Sequence, residues 1–195
     1  MPTPTPITGV TLADGSTLAC GTFVNAAGPW VEQVLREGLA ITGSTSRLRL
    51  VRGSHIIVKR CFEGDHAWLF QQPDGRIVFA IPYQQDCTLI GTTDQDHEGP
   101  LADIHASAEE IEYLCEGASQ YFREPVTPAD VVWTYSGVRP LIEDGSGKPE
   151  AATRGYRIDL DLEEGAPLLT IYGGKITSYR HVAEHAVDEL AEHIP

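Results

Sequence analysis

The sequence predicts an α+β protein built on a mixed, mainly antiparallel sheet with flanking helices. Three observations carry this expectation. Short apolar runs are separated by Asp-Gly turns at Asp14-Gly15 and Asp74-Gly75, the pattern of β-hairpins. Two long segments, 107–122 and 175–190, instead repeat their apolar residues at helical spacing. Two small-residue turns, one ending at Gly28 and the other at Gly173-Gly174, each lead from a strand into a helix near opposite ends of the chain.

In chain order, residues 7–12 and 17–24 form the arms of a first hairpin, with Asp14-Gly15 supplying the turn because glycine tolerates positive φ. Phe23-Val24-Asn25-Ala26-Ala27-Gly28-Pro29-Trp30 follows, with Pro29 suited to a first helical position. A short helix then carries Val31, Val34 and Leu35 and ends at Gly38. Residues 48–58 read as a strand interrupted by Gly53-Ser54. A second hairpin joins 68–71 to 77–82, and Cys87–Gly91 is a further short strand. Ser107 and Glu110 make a capping box that starts a helix reaching Phe122, with Ile111, Leu114, Cys115 and Ala118 on one face. Residues 131–141 and 156–162 alternate as antiparallel strands, and 168–172 is a strand ending at Gly173-Gly174. The last helix, 175–190, aligns Tyr179, Val182, Ala186 and Leu190 on one stripe.

A chain of 195 residues with 42% apolar content builds a globular core of one domain or one and a half. The net charge of −14, from 28 acidic against 14 basic residues, disfavours non-specific nucleic-acid binding and makes each arginine more informative. The four cysteines, Cys20, Cys61, Cys87 and Cys115, show no CxxC spacing and read as reduced, buried thiols of a cytosolic protein. No run approaches the ~20 apolar residues of a membrane-spanning helix. The opening Met1-Pro2-Thr3-Pro4-Thr5-Pro6 reads as an extended, flexible leader rather than a signal peptide.

Three sets of residues are candidates for chemistry. Gly28 and the Gly173-Gly174-Lys175 run expose backbone N–H groups at the start of helices, where an anion or a carbonyl gaining charge is stabilised. Ordinary turn chemistry is the plain alternative. Arg139 and Arg154 have the planar fork that suits phosphate or carboxylate, with a structural salt bridge as the competing role. His55 titrates near neutral pH and so can accept a hydroxyl proton, although a histidine beside apolar residues is more often a satisfied core residue. His66, His97, His105 and His193 read as solvated. His181 and His185 stand at i, i+4, but no third ligand is evident; no metal site is expected, and the pair reads as a solvated helix face. Asp94 and Asp96 are given turn and capping roles.

Six words of the sequence, in order, are Asn25-Ala26-Ala27-Gly28-Pro29-Trp30, Arg52-Gly53-Ser54-His55, Ile90-Gly91-Thr92-Thr93-Asp94, Trp133–Leu141 with Ser136-Gly137-Val138-Arg139-Pro140 at its centre, Thr153-Arg154-Gly155-Tyr156, and Gly173-Gly174-Lys175-Ile176-Thr177-Ser178-Tyr179-Arg180. Together they resemble the FAD-dependent glycerol-3-phosphate dehydrogenases, of the D-amino-acid-oxidase and glycine-oxidase-like group, from about Gly9 to Leu190. The family's opening GxGxxG segment and its helical C-terminal domain have no counterpart here, so the chain resembles a middle fragment. On that basis residues 1–46 and 166–195 correspond to parts of the FAD-binding domain, and 47–165 to the substrate-binding cap. The resemblance implies FAD as cofactor and oxidation of sn-glycerol 3-phosphate at its C2 hydroxyl, with a quinone as acceptor. It implies a cytoplasmic enzyme, peripheral at the inner membrane when intact. His55 then accepts the hydroxyl proton, Arg139 stabilises the reacting oxygen, and Arg154 binds the phosphate. Gly28, Gly137, Gly173, Gly174, Lys175 and Thr177 lie along the flavin. An amine or amino-acid oxidase, and a non-catalytic anion-binding module, are the alternatives.

Overall fold

The computed structural model describes residues 8–41, 47–143, 153–162 and 165–194. The leader expected at 1–6 lies outside them. The chain forms an α+β fold in two compact units. The first takes in the described residues up to Arg49, Pro140 to Glu143, and those from Thr153 onward; the second runs from Leu50 to Arg139.

In the first unit, β1 (Gly9–Thr11) and β2 (Thr17–Ala19) form the expected antiparallel hairpin, with Gly15 at φ +85°. The second arm stops at Ala19, earlier than the expected 24. The chain resumes as β3 (Phe23–Asn25), which joins another sheet by pairing parallel with β11 (Leu168–Gly173). Local alternation cannot announce a partner so far along the chain. β10 (Tyr156–Asp161) completes that sheet, antiparallel to β11. After a 3₁₀ turn at Gly28–Trp30, α1 (Val31–Gln33) continues as a wider π turn through Val34–Gly38.

β11 is covered on both faces. Leu168 and Tyr172 pack with Val31 and Leu35, while Leu169 and Ile171 pack with Ala186 and Leu190 of α3 (Tyr179–Leu190). Burial on both faces explains why Leu168, Leu169, Ile171 and Tyr172 do not alternate with polar residues, Thr170 being the one exception. The predicted stripe of α3 holds at Ala186 and Leu190, but Tyr179 is 68% exposed. The helix proper starts at Tyr179 after a 3₁₀ turn at Ile176–Ser178, so its first residue precedes the packed turns.

The second unit is a sheet in the order β5 (Trp68–Gln71), β6 (Ile77–Tyr83), β7 (Cys87–Gly91), β4 (Leu48–Lys59), β8 (Gln95–Asp96), with β9 (Val131–Ile142) also paired to β4. The predicted interruption at Gly53-Ser54 does not occur: both residues remain within β4. α2 (Ala108–Ser119) covers one face. Its Leu114, Cys115 and Ala118 pack on Ile56, Val58, Phe70, Val78, Ala80 and Ile90. The capping box holds, since Glu110 N donates to Ser107 Oγ and Ser107 N donates to a Glu110 carboxylate oxygen. The helix ends three residues early, where Ser119 Oγ donates to the carbonyls of Cys115 and Val126. On the opposite face one row crosses the sheet, with Leu69 paired to Phe79, Phe79 to Gly91, and Gly91 to His55.

Leu114 is 0% exposed at the centre of this core. Leu114→Ala is expected to cost about 2–5 kcal/mol. Urea denaturation checks this, and a loss below about 1 kcal/mol would contradict this packing of α2 on the sheet.

Candidate functional site

The second unit contains a polar cluster on the α2 side of the sheet, centred on a buried carboxylate. Glu110 is 3% exposed. Its Oε1 accepts from Thr93 Oγ1 at 2.6 Å and from Ser54 Oγ at 2.9 Å. Its Oε2 accepts from Ser107 N at 3.0 Å and pairs with Arg52 Nη2 at 2.9 Å. Ser54 Oγ also meets Ser136 Oγ at 2.8 Å, and Ser54 N donates to Thr93 Oγ1 at 2.9 Å. Burial alone would raise the Glu110 carboxyl. The donors Ser107, Thr93 and Ser54, with the charge of Arg52, outweigh it and hold the group below the ordinary value.

Side chains alternate along a strand, so the residue after Ser54 points away from this cluster. That residue is His55. Its ring lies against Gly91, where any Cβ would collide with the imidazole. It stacks on Tyr135 with ring centroids 4.8 Å apart and planes 6° from parallel. Its Nδ1 is shut off from solvent and makes no hydrogen bond. Burial, and secondarily the positive charge of Arg139, push the His55 pKa down. Both effects favour the neutral ring, in which one nitrogen keeps a lone pair.

Arg139 approaches from β9. Its guanidinium rests on Gly53, leaving no room there for a side chain. Nη1 donates to the Thr93 carbonyl at 3.3 Å and pairs with Asp94 Oδ1 at 3.1 Å, and Nη2 donates to Thr92 Oγ1 at 3.1 Å. The role expected for Asp94 is thereby corrected: it is an ion-pair partner of Arg139, because the end of β7 brings it to β9. Gly137, two residues before Arg139, is exposed, and a Cβ added to it would meet nothing within 4 Å.

The remaining predicted residues belong to the first unit. Gly173 and Gly174 both have positive φ, +73° and +90°. Gly174 N donates to the Gly155 carbonyl at 2.9 Å, and Tyr156 pairs with Gly173, so the Arg154-Gly155 segment is tied to the glycine turn. Arg154, Lys175 and Thr177 are exposed beside it. Gly28 has φ +57° and open space at its Cβ position.

Two readings of histidine need correction. Both ring nitrogens of His97 are buried without a hydrogen bond, so it is not solvated. His185 is half-buried, with Nδ1 3.2 Å from Tyr156 Oη and Nε2 3.3 Å from Glu189 Oε1. Among the described residues no group of three His, Cys, Asp or Glu is arranged to hold a metal. Sequence reasoning assigned no site role to Ser54, Thr93, Tyr135 or Ser136, although all four lie in the quoted words, and it treated Glu110 as a helix cap alone. The capping box was the signal that put Glu110 at the N-terminus of α2. A cleft of about 520 Å³ also opens beside Arg52, Arg76, Gln95 and Tyr113.

This chain belongs to the FAD dependent oxidoreductase family, whose profile matches residues 4–180. Among curated relatives it is 47% identical over 173 residues to D-erythritol 1-phosphate dehydrogenase of Brucella abortus, covering 89% of this chain and 34% of that protein. It is 43% identical over 181 residues to glycerol-3-phosphate dehydrogenase of Pseudomonas aeruginosa, covering 91% and 35%. Its fold matches that of the Bacillus halodurans glycerol-3-phosphate dehydrogenase solved with FAD, at a TM-score of 0.74 and 33% identity over 91% of this chain and 33% of that one. The chain thus spans about a third of the length of these relatives.

A depressed carboxyl stabilises the fold above its unfolded pKa and loses that contribution as pH falls through the folded value. For Glu110 the contribution is complete above the ordinary value of 4.5 and declines below it. Glu110→Gln is expected to lower stability at neutral pH and to flatten the acid loss below pH 4.5. Urea midpoints measured across this range check the sign; parallel pH profiles for the two proteins would contradict it.

Proposed function

We propose that the chain is the substrate-side portion of a flavoprotein dehydrogenase that oxidises the C2 hydroxyl of sn-glycerol 3-phosphate, giving dihydroxyacetone phosphate. The observation that carries this reading is that one unit holds the His55 imidazole, packed against Gly91 and Tyr135, together with a fixed cation at Arg139, whose charge adds to burial in favouring the neutral ring. Alcohol oxidation needs a base for the hydroxyl proton and a positive group for the oxygen as negative charge develops on it. His55 takes the proton, and Arg139 stabilises the oxygen. Bound FAD would supply the acceptor for the hydride leaving C2. Arg154 binds the phosphate with its planar fork.

The chain's residues fit a flavin cofactor. Gly28 and Gly137 leave their main chain open to close approach, and the start of the last helix exposes Lys175 and Thr177 next to two positive-φ glycines. A helix N-terminus there favours negative charge on the ring edge it faces. Gly28, Gly137, Gly173, Gly174, Lys175 and Thr177 hold the cofactor in this reading. A quinone takes the electrons onward, with the intact enzyme at the membrane periphery. Among the described residues no helix is long and apolar enough to cross a bilayer.

A second substrate is favoured by one observation, the 47% identity to a D-erythritol 1-phosphate dehydrogenase. Both names describe a polyol carrying one terminal phosphate, so the proton-accepting and phosphate-binding roles are unchanged.

Titration of the purified chain with FAD and each polyol phosphate, followed by flavin fluorescence and absorbance, tests the proposal. Binding with bleaching of the flavin supports it, and bleaching by an amino acid instead would assign the oxidase alternative. Where bleaching occurs, Arg154→Gln is expected to weaken polyol-phosphate affinity roughly 10- to 100-fold, the scale of one charge-assisted hydrogen-bonded pair. Unchanged affinity would remove the phosphate role. His55→Gln is expected to slow bleaching by about 10²–10⁴-fold. The wild-type rate should fall with acid through an apparent pKa below 6.5, because burial and Arg139 depress that of His55.

A further inference from the structure

We infer that Glu110 is a positioning residue for His55 and Arg139, holding both from the far side of the sheet through a set of hydroxyls. This rests on the dehydrogenase reading for its meaning, but not for its geometry. A helix-capping glutamate needs one bond, the one from Ser107 N, and normally stands at the surface. Glu110 is buried and accepts four, two on each carboxylate oxygen, so its acceptor positions are filled.

The three segments tied to it each carry part of the candidate site. Ser54 immediately precedes His55 on β4. Thr93 presents its carbonyl to Arg139 Nη1, and its neighbours Thr92 and Asp94 hold the same guanidinium. Ser136, bonded to Ser54, immediately follows Tyr135 on β9, whose ring stacks on His55. Ser54 meets Ser136 on one side of the sheet while His55 meets Tyr135 on the other. The hydroxyl contact therefore fixes the same local register that makes the rings overlap.

An ionised carboxylate only accepts, and this sets the direction of every bond in the cluster. Ser54 must give its proton to Glu110, so Ser136 must donate to Ser54. Thr93 likewise donates to Glu110 and accepts from Ser54 N. Glutamine at this position has nearly the same shape but presents two N–H donors. It must aim them either at the hydroxyls, reversing their direction, or at Ser107 N and Arg52, which are themselves donors.

The experiment is histidine-ring NMR on the labelled full chain, with His55 assigned by loss of its signals in His55→Gln. It requires neither FAD nor substrate, so failure of the dehydrogenase reading and failure of this inference are separate results. In the parent protein, His55 carbon-bound protons should be displaced upfield by the Tyr135 ring. Tyr135→Leu gives the reference for complete loss of that displacement. In Glu110→Gln the displacement should be largely lost and the His55 titration should move from its depressed position. Ser107→Ala, which removes the side-chain cap but leaves the hydroxyl cluster, should lower the melting temperature and leave the His55 signals in place. A folded Glu110→Gln whose His55 shifts and titration match the parent would overturn the inference, making Glu110 a helix support only. Should Glu110→Gln fail to fold, Ser136→Ala decides the matter. That variant deletes only the outermost hydroxyl, and partial loss of the upfield displacement is expected; unchanged His55 signals would overturn the inference.

Discussion

A buried carboxylate has to be satisfied, and the second unit is organised around satisfying Glu110. Removing an ionised group from water costs several kcal/mol unless donors replace the lost hydration. Four donors from β4, the N-cap of α2 and the turn after β7 meet at this one residue. Partners drawn from separate segments leave the carboxylate little freedom, because shifting any one of them strands a buried charge. The polar cluster thus adds specificity of register to a layer that the apolar contacts of α2 hold together without directional preference.

Strand alternation carries that register through to the candidate site. β4 presents Ser54 to the cluster, His55 to the other face, and Ile56 to the core again. The opposite face needs space more than side chains. Gly53 accommodates the Arg139 guanidinium and Gly91 accommodates the imidazole. These glycines are in extended backbone, and what demands them is close approach rather than unusual φ. The glycines of the first unit answer to a different constraint. Gly173 and Gly174 adopt positive φ, which lets β11 turn sharply between its two packed faces and the start of α3.

Electrostatics gives the cations their weight. In a chain of net charge −14, Arg139 is held by Asp94, two threonines and a glycine surface. The burial of His55 and the positive charge of Arg139 act in the same direction, favouring the neutral imidazole that the proposed proton acceptance requires. An arginine this constrained is oriented in advance, as the proposed stabilisation of a developing negative charge requires.

The sequence by itself determined the elements whose signals are local. Asp-Gly turns located two hairpins, the Ser107–Glu110 box located α2, and the paired glycines located the turn before α3. The motif words also carried the family, and with it His55, Arg139 and Arg154 as candidates. What only the tertiary structure decided was non-local: that β3 leaves its hairpin for β11, that Asp94 pairs with Arg139, that Tyr135 stacks on His55, and that Glu110 reaches Ser54 and Thr93. The span from Ser54 to Ser136 is 82 residues. No periodicity or propensity encodes such a meeting, because it follows from the pairing of β4 with β9 and from the packing of α2, which exist only once the whole unit has folded.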